Sequence, residues 1–275
     1  MIFSITAIYQ LRPFLDDHQF SYIAVPAFTI FPGLVTVYSS ILAVKLYKQK
    51  NYQAKGFILF AIGAAFWMIA EQIWQLYDHI WEGDPFPSEA DIFYLGAYPL
   101  MTTFLFLSLR PILKKVSRNV WLFAIGLSFA FLIPSFFAAY DDMFGEEAFA
   151  TSIALAYPVL SAIQVVPAIV GIMFLTKQGA NLSWMLILFG FILYGVADTF
   201  FLFAELDGSY YDGHPTDLFW IYSYIMIIFA FHIRLKIANL PGEENRTLFF
   251  SEHVKFETIS NFGIPLTVAI ICMRS

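Results

Sequence analysis

Seven long apolar runs dominate the chain and follow one another almost without pause. They cover residues 22–46, 56–77, 91–110, 119–140, 149–176, 183–204 and 217–235. Each is close to the roughly 20 residues that cross a bilayer as an α-helix. In lipid every backbone polar group must be satisfied within the segment, which favours helices. The opening run, residues 1–11, is too short to span. It has neither a positive start nor a small-residue cleavage site, so it reads as an interfacial segment rather than a signal peptide. Residues 238–256 are polar and mixed in charge, and residues 263–273 are apolar again but too short to span. The chain therefore divides into a seven-helix domain over 1–237 and a cytoplasmic tail over 238–275. The tail's apolar end reads as a truncated eighth helix or as a segment lying on the membrane.

The polar stretches between the runs alternate in charge. The first carries Lys45, Lys48, Lys50 and Lys55, and the third Arg110, Lys114, Lys115 and Arg118. Lys177 stands in the fifth, and Arg234 and Lys236 close the seventh run. The second holds Asp78, Glu82, Asp84, Glu89 and Asp91, the fourth Asp141, Asp142, Glu146 and Glu147, and the sixth Glu205, Asp207, Asp212 and Asp217. These three contain no Lys or Arg. Short Lys/Arg-rich loops stay cytoplasmic, so the expected topology has the N-terminus outside, the acidic loops outside and the end of the seventh helix inside a cell membrane.

Internal repetition refines this to one lone helix followed by three tandem helical hairpins. LFAIG occurs at Leu59–Gly63 and again at Leu122–Gly126, and Tyr77-Asp78 and Tyr140-Asp141 follow at the same offset. Ala70-Glu71 and Ala197-Asp198 stand eight residues past Gly63 and Gly190, where the middle copy has Pro134. Ala97-Tyr98-Pro99 matches Ala156-Tyr157-Pro158, and Asp91/Tyr98 share their spacing of seven with Asp217/Tyr224.

Composition narrows the class. Of 275 residues, 59% are apolar and 13% charged, against about 25% charged in soluble domains. This excludes a soluble globular or disordered chain. A net charge of −6 leaves no basic footprint for nucleic acid. The single cysteine, Cys272, excludes a disulfide framework or thiolate metal cluster within one chain. Retinal would need a mid-membrane Lys and a bis-histidine haem needs mid-membrane His pairs, and the spans offer neither. No HExxH, GxSxG or P-loop is present. No cofactor is expected.

Glu71 and Asp198 are the most informative residues. Each lies about 10 Å inside the outer end of its helix at 1.5 Å per residue, where an ionisable group normally faces a cavity or a partner. Helical spacing aligns Trp67, Glu71, Trp74 and Asp78 in one stripe, and Tyr194, Asp198, Phe201 and Glu205 in another. Tyr98, Tyr157 and Tyr224 fall at similar depth, and Pro99 and Pro158 release the carbonyls of Leu95 and Ala154. With Asp91 and Asp217, these residues predict an outward-facing acidic-aromatic pocket for a cation, an amine or a polar lipid head. Burial would raise the carboxylate pKa values, which adds proton sensing to the options. The competing reading is that Glu71 and Asp198 are hydrogen-bonded to tyrosines as interhelical glue. A weaker metal option rests on His79, Glu82 and Asp84 in one loop and Asp212, His214 and Asp217 in another.

The segment Asp84–Leu100, DPFPSEADIFYLGAYPL, resembles the P-F-P-S-x-A-D-x-x-Y-L-x-x-Y-P-L stretch of the multi-helix membrane sensor regions N-terminal to many bacterial diguanylate cyclases and some histidine kinases. The match falls on Pro85, Pro87, Ser88, Ala90, Asp91, Tyr94, Leu95, Tyr98, Pro99 and Leu100. The resemblance implies an input module of seven or eight helices and carries no catalytic residue. No kinase or cyclase output domain follows. The expectation is a free-standing module, a truncated product or one that signals through a separate partner. Physically, the two Asp/Phe-Pro pairs impose an extended lead-in, and Ser88 with Asp91 forms a capping box. Thr216-Asp217 repeats the device less completely.

Gly190–Phe201, GFILYGVADTFF, is similar to the G-x-x-L-F-x-x-S-D stretch of lysoplasmalogenase-type membrane hydrolases. That resemblance implies Glu71 and Asp198 as an acid/base pair acting through water on a lipid head group, with Ala197 in place of the Ser and Glu71 in place of an Asp. An accessory subunit of a membrane complex or a small transporter is the third expectation. The chain lacks the paired inverted repeats common in transporters.

Overall fold

A computed structural model describes residues 2–11, 14, 17–145, 148–178, 181–211 and 213–239. It is helical, with α1 Ile2–Gln10, α2 Asp17–Lys48, α3 Ala54–His79, α4 Glu89–Leu113, α5 Arg118–Ala139, α6 Ala148–Gln178, α7 Leu182–Leu206 and α8 Asp217–Ala238. No strand occurs among the described residues. Seven of these helices, α2 to α8, are long and apolar enough to cross a membrane. The expected tail lies almost wholly outside the described residues.

Neighbouring contacts run α2–α3–α4–α6–α7–α8 and back to α2, so six helices close a ring. Helix α5 stands outside it, against α6. Only 22% of α5's most apolar window is buried, against 72% for α7 and α8. Helix α5 carries no Asp or Glu, and Pro134 stands eight residues past Gly126, where α3 and α7 have Glu71 and Asp198 at the same offset from Gly63 and Gly190.

In lipid, helices associate through close packing and interhelical hydrogen bonds rather than hydrophobic expulsion. At Gly56 of α3 an added Cβ would meet Ser108 Oγ of α4 at 2.6 Å, so the missing side chain allows the helices to approach. The middle of the ring is an aromatic plug. Phe57 and Phe60 of α3, Phe104 of α4 and Phe231 of α8 pack edge-to-face at centroid distances of 4.8–5.6 Å. Phe191 of α7 completes the layer. Such pairs contribute about 0.5–1.5 kcal/mol each beyond area burial.

Below the plug, towards the basic loops, lies Arg234 of α8, which is 1% exposed. Its Nη2 donates to Gln53 Oε1 at 2.6 Å. The guanidinium sits 4.7 Å from the Trp184 ring centre and 5.1 Å from that of Phe57. Gln53 in turn donates to the Ser108 carbonyl. One cation thus joins α8 to the starts of α3 and α7.

The start of α4 bears the capping box expected from the sequence. Ser88 Oγ accepts from Ala90 N at 3.2 Å, and Ser88 N donates to Asp91 Oδ2 at 2.7 Å. Asp84 Oδ1 accepts from Phe86 N, shaping the lead-in. Ser88→Ala is expected to destabilise the protein by about 1 kcal/mol, seen as a fall of about 2–4 °C in thermal midpoint. An unchanged midpoint would mean that the Asp91 arm alone starts the helix. The parallel expected at Thr216 does not hold. Its backbone is already helical and its side chain makes no capping bond. Gly213, with φ +86°, brings its N–H to Asp217 Oδ2 instead, at 2.9 Å.

Candidate acidic-aromatic site

At the acidic-loop end the helices diverge around a cleft of about 700 Å³ counting its open mouth. Glu71, Trp74 and Gln75 come from α3, Tyr94 from α4 and Tyr157 from α6. Tyr194, Asp198 and Phe201 come from α7, and Asp217 and Trp220 from α8. Phe28 of α2 and Tyr210 and Gly213 of the α7–α8 loop complete the lining. No Lys, Arg or His is among these residues.

Asp198, 1% exposed, anchors the deep wall. Tyr98 Oη donates to its Oδ2 at 2.5 Å, Ser161 Oγ donates to the same oxygen, and Trp220 Nε1 donates to Oδ1 at 3.1 Å. The donors belong to α4, α6 and α8, so one carboxylate ties four helices. Tyr224 Oη of α8 donates to Glu71 Oε1 at 3.2 Å. Tyr194 lies between the two acids, stacked on Trp67 at 4.5 Å. Asp217 takes Tyr210 Oη at 3.1 Å and Tyr9 Oη of α1 at 3.5 Å, besides Gly213 N. The three donors to Asp198 are all neutral. The glycine is required at 213: a Cβ there would meet Phe20 at 2.2 Å.

Of the residues expected to bind, Glu71, Trp74, Tyr194, Asp198 and Asp217 line this cleft, while Trp67, Asp91, Tyr98 and Tyr224 stand behind it. Trp67 backs Tyr194, Tyr98 and Tyr224 hold the acids, and Asp91 Oδ1 accepts from the Tyr157 hydroxyl. The carbonyls expected to be freed by Pro99 and Pro158 belong to Leu95 and Ala154, and neither residue lines the cleft. Sequence reasoning missed Gln75, Tyr94, Tyr210 and Trp220 as lining and Ser161 as a support. Two had a readable signal: Gln75 stands one turn after Glu71, and Trp220 lies between Asp217 and Tyr224 on the same face of α8.

The two stripes continue upward into a second cavity lined by Trp74, Asp78, Asp84, Glu205 and Tyr210, among others. Trp74 and Tyr210 belong to both cavities and meet edge-on at 6.2 Å. Among the described residues, no three His, Cys, Asp or Glu side chains are grouped to hold a metal ion. His79 Nδ1 sits 2.9 Å from Asp78 Oδ2, and His214 Nδ1 lies 2.8 Å from Thr216 Oγ1. Burial pushes the His214 pKa down, and Asp207 is held low by the Ser209 side chain and backbone. Asp212 lies outside the described residues.

No family model, curated protein or solved structure matches the chain. Fold and site together define its class: a helical bundle with seven potential membrane spans and an acidic-aromatic cleft at one end.

Proposed function

We propose that this is a multi-pass membrane protein with its N-terminus outside, which binds a small organic cation in the cleft and passes the signal to a separate partner. The supporting observation is that three carboxylates, Glu71, Asp198 and Asp217, line one cleft together with an aromatic wall. Neutral hydroxyl and indole donors hold Asp198 without cancelling its charge. Aromatic faces attract ammonium groups, the more so when desolvated, and a carboxylate at low dielectric adds a strong Coulomb attraction.

The alternation of basic and acidic loops supports the orientation, and the cleft then opens to the outside. The repeated sequence supports a lone α2 followed by the hairpins α3–α4, α5–α6 and α7–α8. Likeness of residues 84–100 to bacterial sensor regions points to input rather than output. The phenylalanine plug separates the cleft from the Arg234 cluster, which speaks against a continuous polar path and so against transport. Helices α3, α7 and α8 carry residues of both sites, so a shift of one against another would reach both ends.

A lipid hydrolase is the second reading, because Glu71 and Asp198 share one cavity. It ranks lower because both Asp198 oxygens already accept hydrogen bonds from protein donors, which leaves less room for a reacting water. Titration of the purified protein with choline, followed by tryptophan emission of Trp74 and Trp220, tests the proposal. Saturable quenching is expected; none up to solubility would remove the binding reading.

A further inference from the structure

Gln75 lines the cleft, and its Nε2 is buried with no hydrogen-bond partner among the described residues. The other end of the amide is committed. Thr29 Oγ1 of α2 donates to Gln75 Oε1 at 3.0 Å, while Gln72 Nε2 donates to Thr29 Oγ1 at 3.4 Å. Because Thr29 Oγ1 accepts a hydrogen bond from Gln72, its own hydroxyl hydrogen is directed at Gln75. This relay fixes the amide with its oxygen on α2 and leaves the NH₂ as the unused group. A buried donor without an acceptor is costly, and a ligand that supplies the acceptor recovers that loss.

Resting on the binding reading above, we infer that the ligand is an ammonium compound that also carries a neutral acceptor, a carbonyl or ether oxygen, read by Gln75 Nε2. Gln75 stands four residues beyond Glu71, a rise of about 6 Å along α3. The acceptor therefore lies about one helical turn from the cationic nitrogen. A neutral oxygen fits better than a phosphate or carboxylate, because Glu71, Asp198 and Asp217 share the cavity and would repel a second anion. This separates a soluble acyl or ether amine from a phosphocholine lipid head.

The test compares calorimetric affinities of three probes for the purified full chain. Acetylcholine and n-pentyltrimethylammonium share chain length and charge and differ in the ester. Glycerophosphocholine offers a phosphate instead. Acetylcholine is expected to bind about tenfold more tightly than the alkyl probe, and glycerophosphocholine more weakly than acetylcholine. In Gln75→Met the ratio of the first two is expected to fall to about one, and Gln75→Glu, which cannot donate when ionised, should give the same collapse. A tenfold ratio that survives both substitutions, or a ratio of one in the wild type, overturns the inference while leaving cation binding intact. Equal binding of glycerophosphocholine overturns the preference for a neutral acceptor. No binding of any probe by the wild type removes the underlying reading as well.

Discussion

Asp198→Asn is expected to weaken choline binding about hundredfold while leaving the bundle folded. At about 4 Å and an effective dielectric of about 20, a carboxylate attracts an ammonium by about 4 kcal/mol. Losing most of that attraction is worth two orders of magnitude in affinity. Asparagine keeps the shape, and its oxygen and amide can still bond with Trp220, Tyr98 and Ser161, whose hydroxyls also accept. Asp198→Ala differs in kind. It strips the acceptor from two buried donors and one half-buried donor on three helices, at about 1–3 kcal/mol for each buried one, and should lower the thermal midpoint sharply. If both variants lose stability equally and the asparagine variant binds choline like the wild type, Asp198 is glue and not a binding charge.

Arg234→Met should be the most destabilising change at the other end of the bundle. It removes the guanidinium from between Trp184 and Phe57, and a desolvated cation–π contact is worth about 2 kcal/mol. It also removes the donor to Gln53 Oε1. A loss of about 3 kcal/mol is expected, or about 6–12 °C in thermal midpoint. Arg234→Lys keeps a charge but not the planar fork, and should recover only part of it. A methionine variant as stable as the wild type would show that packing alone holds α3, α7 and α8 at this end.

The number of spans was readable because apolar runs of about 20 residues admit few other structures. The capping box at Ser88 was readable because its chemistry is local, involving residues three apart. Thr216 failed as its parallel for a tertiary reason: Gly213 and Tyr210, brought in by the loop, already take the Asp217 carboxylate. Glu71 and Asp198 stood out as acids deep in apolar runs. That they share a cavity was an inference from matching depth, since sequence does not say which helices face each other. The position of α5 outside the ring was not legible, because its apolar run looks like the others until the helix contacts are known. Gln75 escaped notice because a glutamine near a helix end is ordinary until its neighbours from α2 are known, and Ser161 because small hydroxyl residues are common in spans.

Recognition of positive charge by the cleft can be isolated because choline has a neutral counterpart of the same shape, 3,3-dimethyl-1-butanol. Calorimetric titration of the purified protein with both probes isolates the charge. Saturable binding of choline is expected, with none, or at least about hundredfold weaker binding, of the alcohol. Equal affinity for the two, or heat from neither, would show that the cleft does not select for positive charge.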